Sequence, residues 1–273
     1  MSLLAPFVGL ALFLSLAMAG AWLVAERSGN HGWVDTIWSL STGVAAVATA
    51  LWPIGAESWL PRQVLVAGLA AAWSLRLGLH ILRRTLKGGD DPRYAALRRE
   101  WGSSARRRLF QFLQIQALAG LVLALGVAAA AHNPLATWRI ADGVAVALAI
   151  IAVLGEGTAD RQLARFRAVL ANRGRICDEG LWGMSRHPNY FFEWLGWLAY
   201  PLFAIDLAGA YPWGFVALLA PVLMYVLLVH ASGIPPTEAH MLRTRGDAFR
   251  DYQRRVNAFW PGRARRSKDD RRA

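Results

Sequence analysis

Residues 178–197 read DEGLWGMSRHPNYFFEWLGW. The stretch starts polar and ends inside a long apolar run. Within it come Arg186, His187, Asn189, Tyr190 and Glu193. Pro188 has no backbone N–H and suits the first turn of a helix. The spacing therefore predicts a helix from about Pro188, with Asn189 and Glu193, four apart, on one face. Arg186 and His187 then sit at a membrane surface. An amide and a carboxylate enter the bilayer just below it, where polar groups are costly and mark function.

Working outward, the composition decides the class. Hydrophobic residues make up 55% of the chain, which has 13 Trp, and the mean hydropathy is +0.30. Several apolar runs reach the roughly 20 residues that cross a bilayer. The expectation is an all-α polytopic membrane protein, one membrane domain over 1–262 with its signature region at 138–262. The last residues, 263–273, read as a basic disordered tail. A single Cys, Cys177, excludes an internal disulfide and a thiolate cluster, and no Cys/His cluster suits zinc. The net charge of +12 fits the positive-inside rule and anionic lipid. Nucleic acid is excluded for want of a soluble basic face interleaved with aromatics.

Seven spans are expected, at about 4–25, 33–52, 63–86, 112–131, 138–157, 189–207 and 213–231. The first reads as a retained helix, because no small-residue cleavage site leads into a soluble domain. Gly88 and Gly89 break the chain after the third span, and the connector 87–111 follows. Lys and Arg concentrate in that connector, in 158–187 and after 232. Seven spans bring all three to one side, whereas the opposite loops hold little more than Arg62 and Arg139. The N-terminus is thus expected outside and the C-terminus in the cytosol.

Four polar clusters converge on the cytosolic side. Arg76, His80, Arg83 and Arg84 lie largely on one face of the third span. Arg83 and Arg84 also suit interfacial anchoring, and Arg76 calls for a buried partner such as Asp35 or Glu193. The connector mixes Asp90, Asp91, Arg93, Tyr94, Arg98 and Trp101, which reads equally as a solvated loop. Glu156, Asp160 and Arg167 share a face, either as a ligand site or as a surface ladder. The fourth cluster is the opening stretch, with Glu238, Arg245 and Tyr252 added from the tail. Arg forks bind phosphate bidentately. There is no P-loop lysine motif and no strand–GxGxxG–helix unit. The inventory fits a phosphorylated cofactor entering from the cytosol and an apolar substrate arriving from the lipid.

The stretch GLWGMSRHPNYFFEWLGW resembles the signature of the steroid 5-alpha reductase superfamily. That superfamily also holds sterol delta-14 reductases and isoprenylcysteine carboxyl methyltransferases. The chain looks most like a bacterial branch filed as a domain of unknown function. The shared runs are WSLRLGLHILRRTLKGGDDPRYAALRREWG, ADRQLARFR and SGIPPTEAHM…YQRRVNAFWPG, so the resemblance covers roughly 30–262.

For the reductases the resemblance implies NADPH held in a seven-helix bundle open to the cytosol. Matched by motif, Asn189 and Glu193 would contact the nicotinamide end, Asp160 and Arg167 the ribose and phosphate, and Arg84 the cofactor as well. Arg186, His187 and Tyr190 belong to the signature, and Glu238 and Tyr252 match the tail. Steroid 5-alpha reductases carry a Tyr one residue after the His of the third-span motif, and here that position is Ile81. A hydride delivered to a polarised double bond needs an acid near the oxygen. Asp35 and His80 are the residues available for that role beside Glu193.

The expected function is an NADPH-dependent reductase of a lipophilic, steroid-like or isoprenoid, unsaturated substrate drawn from the bilayer. The alternative is an S-adenosylmethionine-dependent methyltransferase of the isoprenylcysteine type, although Glu238 here stands alone before Ala239 where those enzymes carry paired carboxylates. A lipid-binding or transport role lacks the expected inverted repeat and the Gly/Pro-broken helix pair. The expected location is a bacterial inner membrane, with membrane lipids as neighbours and no metal.

Overall fold

The computed structural model describes residues 4–53 and 59–265. Residues 266–273, most of the expected tail, lie outside the described residues. Every regular element among the described residues is helical, as a backbone with no water to satisfy it inside a bilayer requires. The helices are α1 Leu4–Ser28, α2 Gly32–Leu51, α3 Leu60–Leu86, α4 Pro92–Trp101, α5 Ala105–Ala131, α6 Ile140–Ala168, α7 Pro188–Trp197, α8 Ala199–Ala204, α9 Leu219–Tyr225 and α10 Ile234–Arg255.

Among the described residues six helical runs are long and apolar enough to cross a membrane. The protein is a polytopic helical membrane protein. Five of the runs are α1, α2, α3, α4 with α5, and α6. The sixth begins at Pro212 and continues into α10. Its apolar part is 212–231, built from a 3₁₀ helix Pro212–Leu218, α9 and a π-helix Val226–Ala231. Beyond it α10 is polar, with Arg243, Arg245, Arg250, Arg254 and Arg255.

The expected span at 189–207 is not among the six. It is two short helices, α7 and α8, separated at Leu198. Pro201 explains the break, since a proline has no N–H for the carbonyl four residues back and its ring crowds that carbonyl. The Leu198 N–H bonds instead to Leu195 O at 3.2 Å.

The chain forms two compact units. The first comprises Met1–Ala145 and Tyr200–Leu223, the second Val146–Ala199 and Met224–Ala273. In the first unit small residues let α2 approach α3 and α5. A Cβ on Gly43 would fall 1.9 Å from Ser74 Oγ, and one on Gly78 2.6 Å from a Leu40 methyl. Ser74 Oγ donates to Ser39 O at 2.9 Å, and Trp38 Nε1 to Gln116 O at 2.8 Å. Close backbone approach with hydroxyl and indole bonds suits membrane helices, because lipid supplies no hydrophobic drive between them.

One end of this unit is fastened by charge. Arg62 is fully buried and donates to the carbonyls of Asn133, Leu135 and Thr137 and to Asp142 Oδ2 at 2.9 Å. Arg139 binds the other oxygen, Asp142 Oδ1, at 2.7 Å and reaches the carbonyls of Leu202, Phe203 and Ile205. Two arginines expected as sparse loop charges are therefore the joint between α3, α6 and the end of α8.

In the second unit the loop after α6 is pinned back onto that helix. Trp182 Nε1 donates to Ala159 O at 2.9 Å, and the Leu181 N–H to Gln162 Oε1 at 3.0 Å. Gly180 makes this possible: its φ is +58°, and a Cβ there would lie 2.7 Å from Gln162 Nε2. α10 bends at Gly246, where φ is +52° and ψ −124°.

Candidate functional site

The opening stretch builds a buried polar knot in the second unit. Pro188 occupies the first turn of α7, and His187 just before it is non-helical, with φ −137° and ψ 59°. Arg186 and His187 both turn to Glu238 on α10. Arg186 Nε and Nη2 meet Glu238 Oε1 and Oε2 at 2.8 and 3.1 Å, and His187 Nε2 meets Oε1 at 2.9 Å. Gln253 Nε2 adds a fourth bond, to Oε2, at 2.7 Å. A carboxylate only accepts, so His187 is assigned the tautomer with its proton on Nε2.

The same segment grips the end of the chain through its backbone. The Arg186 N–H donates to Asn257 O at 2.8 Å and the Gly262 N–H to Met184 O at 3.0 Å. Ser185 Oγ donates to Phe259 O at 2.9 Å, and the His187 N–H donates to Ser185 Oγ at 3.1 Å. Tyr252 OH donates to Trp182 O at 2.5 Å. Arg186 and His187 thus share Glu238, while Tyr252 and Ser185 hold the surrounding carbonyls.

The electrostatics follow from crowding. Burial alone would raise Glu238, yet bonds from His187, Arg186 and Gln253, with the charge of Arg186, hold its carboxyl down to about 2. His187 goes below the ordinary histidine range. Burial drives it down, Glu238 opposes the shift, and the neighbouring Arg186 charge adds to it. Cys177 is buried, and that burial pushes its thiol up, which makes it a poor nucleophile.

Asn189 and Glu193 lie one turn apart on α7 and differ in their partners. Glu193 is buried and accepts from Trp197 Nε1 at 3.0 Å. Asn189 is half-buried, and its side-chain amide makes no hydrogen bond among the described residues. That amide, with two donors and one acceptor, is open to a ligand. Tyr190 stacks on His187, ring centroids 5.3 Å apart and nearly parallel, with its hydroxyl 3.4 Å from Thr237 Oγ1. On α6 Asp160 is half-buried and Arg167 exposed. They are two turns apart on one side of the helix.

The remaining expected site residues belong to the first unit. Asp91 caps α4 by accepting from the Arg93 N–H at 2.9 Å. It also takes Arg93 Nη2 and Arg84 Nη2, each at 2.9 Å. Burial would raise the Asp91 carboxyl, but the bonds and charge of Arg93, with Arg84 behind them, hold it below the usual range. Asp35 is bonded by Arg93 Nη2, and by Tyr94 OH at 2.8 Å. Asp35, one of the two partners expected for Arg76, is thus engaged by Arg93 and Tyr94 instead, because α4 folds its first turn against the start of α2. His31 adds a bond to Asp90 at 2.8 Å, and Gln116 Nε2 donates to Tyr94 OH at 3.2 Å. His80 is exposed on α3, and the Arg84 side chain is 56% exposed. The connector that also read as a solvated loop is thus a cross-braced corner.

Sequence reasoning missed Gln116 and the Arg62–Asp142–Arg139 joint. A signal was present for Arg62. A cation in the first turn of a helix opposes the helix dipole, so it calls for a carboxylate partner. Among the described residues no group of three or more His, Cys, Asp or Glu is placed to hold a metal.

Fold and site together define a polytopic helical membrane protein with a buried, charge-laced loop at the start of a short helix. The chain belongs to the DUF1295 family, described as a protein of unknown function, which it matches over residues 21–256. It is 25% identical over 285 residues to the uncharacterized protein C594.04c of Schizosaccharomyces pombe, covering 94% of this chain and 80% of the yeast protein. No solved structure matches the chain.

Proposed function

We propose that this protein is an NADPH-dependent reductase of a lipophilic unsaturated substrate, related to the steroid 5-alpha reductase superfamily. The observation that carries the reading is the unpartnered amide of Asn189, set one turn from the buried Glu193 within the signature SRHPNYFFEW. A side-chain amide matches a nicotinamide carboxamide donor for acceptor and acceptor for donor.

The fit extends along the second unit. Asn189 would hold the nicotinamide end, and Asp160 and the exposed Arg167 the ribose and phosphate. Arg186 and His187 already bind Glu238, and Tyr252 the carbonyl of Trp182, so these residues act by positioning α7 and Tyr190 rather than as direct ligands. When bound, the cofactor would supply a hydride. The chain's own contribution is to orient the carboxamide and to keep water from Glu193. The apolar character of the membrane spans fits a substrate drawn from lipid, steroid-like or isoprenoid in class.

The test is a ligand-stability screen of the purified protein in detergent with NADPH, NADH and S-adenosylhomocysteine. NADPH is expected to raise the melting temperature of the wild type and to raise it less in Arg167→Ala. Equal response of wild type and Arg167→Ala to NADPH, or stabilisation by S-adenosylhomocysteine alone, overturns the reading.

A further inference from the structure

The helix α7 has two unlike sides. Asn189, Glu193 and Trp197 follow one another at four-residue steps along one of them. Pro188, Phe191, Trp194, Leu195 and Leu198 occupy the other, and with Trp260 they line a groove of about 540 Å³. Binding sites for small molecules fall in this size range. The groove lies across the helix from Asn189, so its occupant is not the group that Asn189 would hold.

The groove has a firm wall. Trp260 meets Trp194 and Phe191 edge-on, with ring centroids 5.2 and 6.1 Å apart, and Phe259 meets Trp194 at 5.7 Å. The bonds from Ser185 to Phe259 O and from the Gly262 N–H to Met184 O hold this wall against the start of α7. The 10 residues of α7 measure about 15 Å. That is half of the ~30 Å hydrocarbon core, so a hydrocarbon chain laid along α7 fits within one leaflet.

Charge identifies the head of the occupant. Just past Pro261 come Arg263 and Arg265, both exposed and without an ion pair among the described residues. The preceding Arg254 and Arg255 are already engaged with Asp251, and Arg255 with Asp178. Two exposed cations that follow an exposed tryptophan, with no ion pair among the described residues, complement a phosphate at the lipid surface. We propose that this groove holds an anionic phospholipid, with one acyl chain along α7 and the headgroup phosphate against Arg263 and Arg265. The proposal is independent of the cofactor reading.

The test uses the full chain reconstituted in vesicles of equimolar phosphatidylglycerol and phosphatidylcholine, re-extracted in mild detergent and weighed by native mass spectrometry. The wild type is expected to retain phosphatidylglycerol over phosphatidylcholine by roughly 10- to 30-fold, the effect of two arginines at an anionic surface. Arg263→Gln with Arg265→Gln, both on the surface, should keep a bound lipid and lose the preference. Leu195→Trp, which fills the groove, should lose the lipid. Equal retention of the two lipids by the wild type overturns the proposal, as does an unchanged preference in the double arginine variant. A wild-type dimer that Leu195→Trp splits, with lipid retention unaltered, also overturns it and makes the groove a self-association face. The NADPH response is read in parallel, so failure of one proposal is distinguished from failure of the other.

Discussion

Arg186 and Glu238, 52 residues apart, form a two-point salt bridge at 2.8 and 3.1 Å with side chains only 10% and 11% exposed. The bond ties the loop before α7 to α10. Removing one partner strands a buried charge, at a cost of about 3–5 kcal/mol. Arg186→Ala and Glu238→Ala should each lower thermal stability in detergent by that order. The double variant should lose much less than the sum, because residues in contact are strongly coupled. Strictly additive losses would sink the claim.

Acidification should loosen the same knot. The folded His187 has a lowered pKa, so below the ordinary value of about 6.5 the unfolded chain takes up a proton that the folded chain refuses. Stability is therefore full above about 6.5 and falls as pH drops below it. Glu238, held down to about 2, adds a second loss below its ordinary value near 4.5, in the same direction. Each proton contributes at most about 1.4 kcal/mol per pH unit. Melting temperatures measured from pH 7.5 to 4 should decline in two steps, and His187→Asn should shrink the first, to which His132, also lowered by burial, contributes the remainder. A flat profile between pH 7 and 5.5 would refute the assignment of a buried neutral histidine.

In the first unit the decisive single charge is Asp142. It is the carboxylate shared by Arg62 and Arg139, both bonded to it at under 3 Å. Asp142→Asn leaves two guanidinium groups against one neutral amide and should cost about 3–5 kcal/mol. Arg139 keeps its three carbonyl acceptors, so Arg62→Met, which deletes the fully buried cation, should cost less than Asp142→Asn. Unfolding in detergent ranks the two variants, and the reverse order would refute this reading of the joint.

The helices were legible because period and length in an apolar chain admit few alternatives, and Gly88, Gly89 and Pro188 fall where the chain turns. The break inside the expected span at 189–207 was not foreseen because hydropathy counts apolar residues and takes no account of the N–H that Pro201 lacks. Within the candidate site, the shared face of Asn189 and Glu193 follows from helical spacing alone. The partners of Arg186, His187 and Asp35 do not, since Glu238 and Arg93 lie 51 to 58 residues from them and no local pattern links such distances. The groove beside α7 was hidden for the same reason. Phe259 and Trp260 reach the helix only because the loop at 184–186 captures residues 257–262.

Asn189 separates binding from stability. Its amide is half-buried and bonded to no described side chain or carbonyl, so truncation removes no contact the fold depends on. Asn189→Ala should stay within about 0.5 kcal/mol of the wild type, as surface substitutions do. Under the proposed function the same change deletes the partner of the carboxamide, worth about 1–1.5 kcal/mol, or roughly tenfold in NADPH affinity. Asn189→Asp keeps the shape, removes both N–H donors and adds a charge, so it should bind NADPH no better than the alanine variant. Titrating NADPH against melting temperature for the three proteins reads both quantities at once. A large loss of stability in Asn189→Ala would mean that the amide has a structural partner, and unchanged NADPH affinity would remove Asn189 from the site.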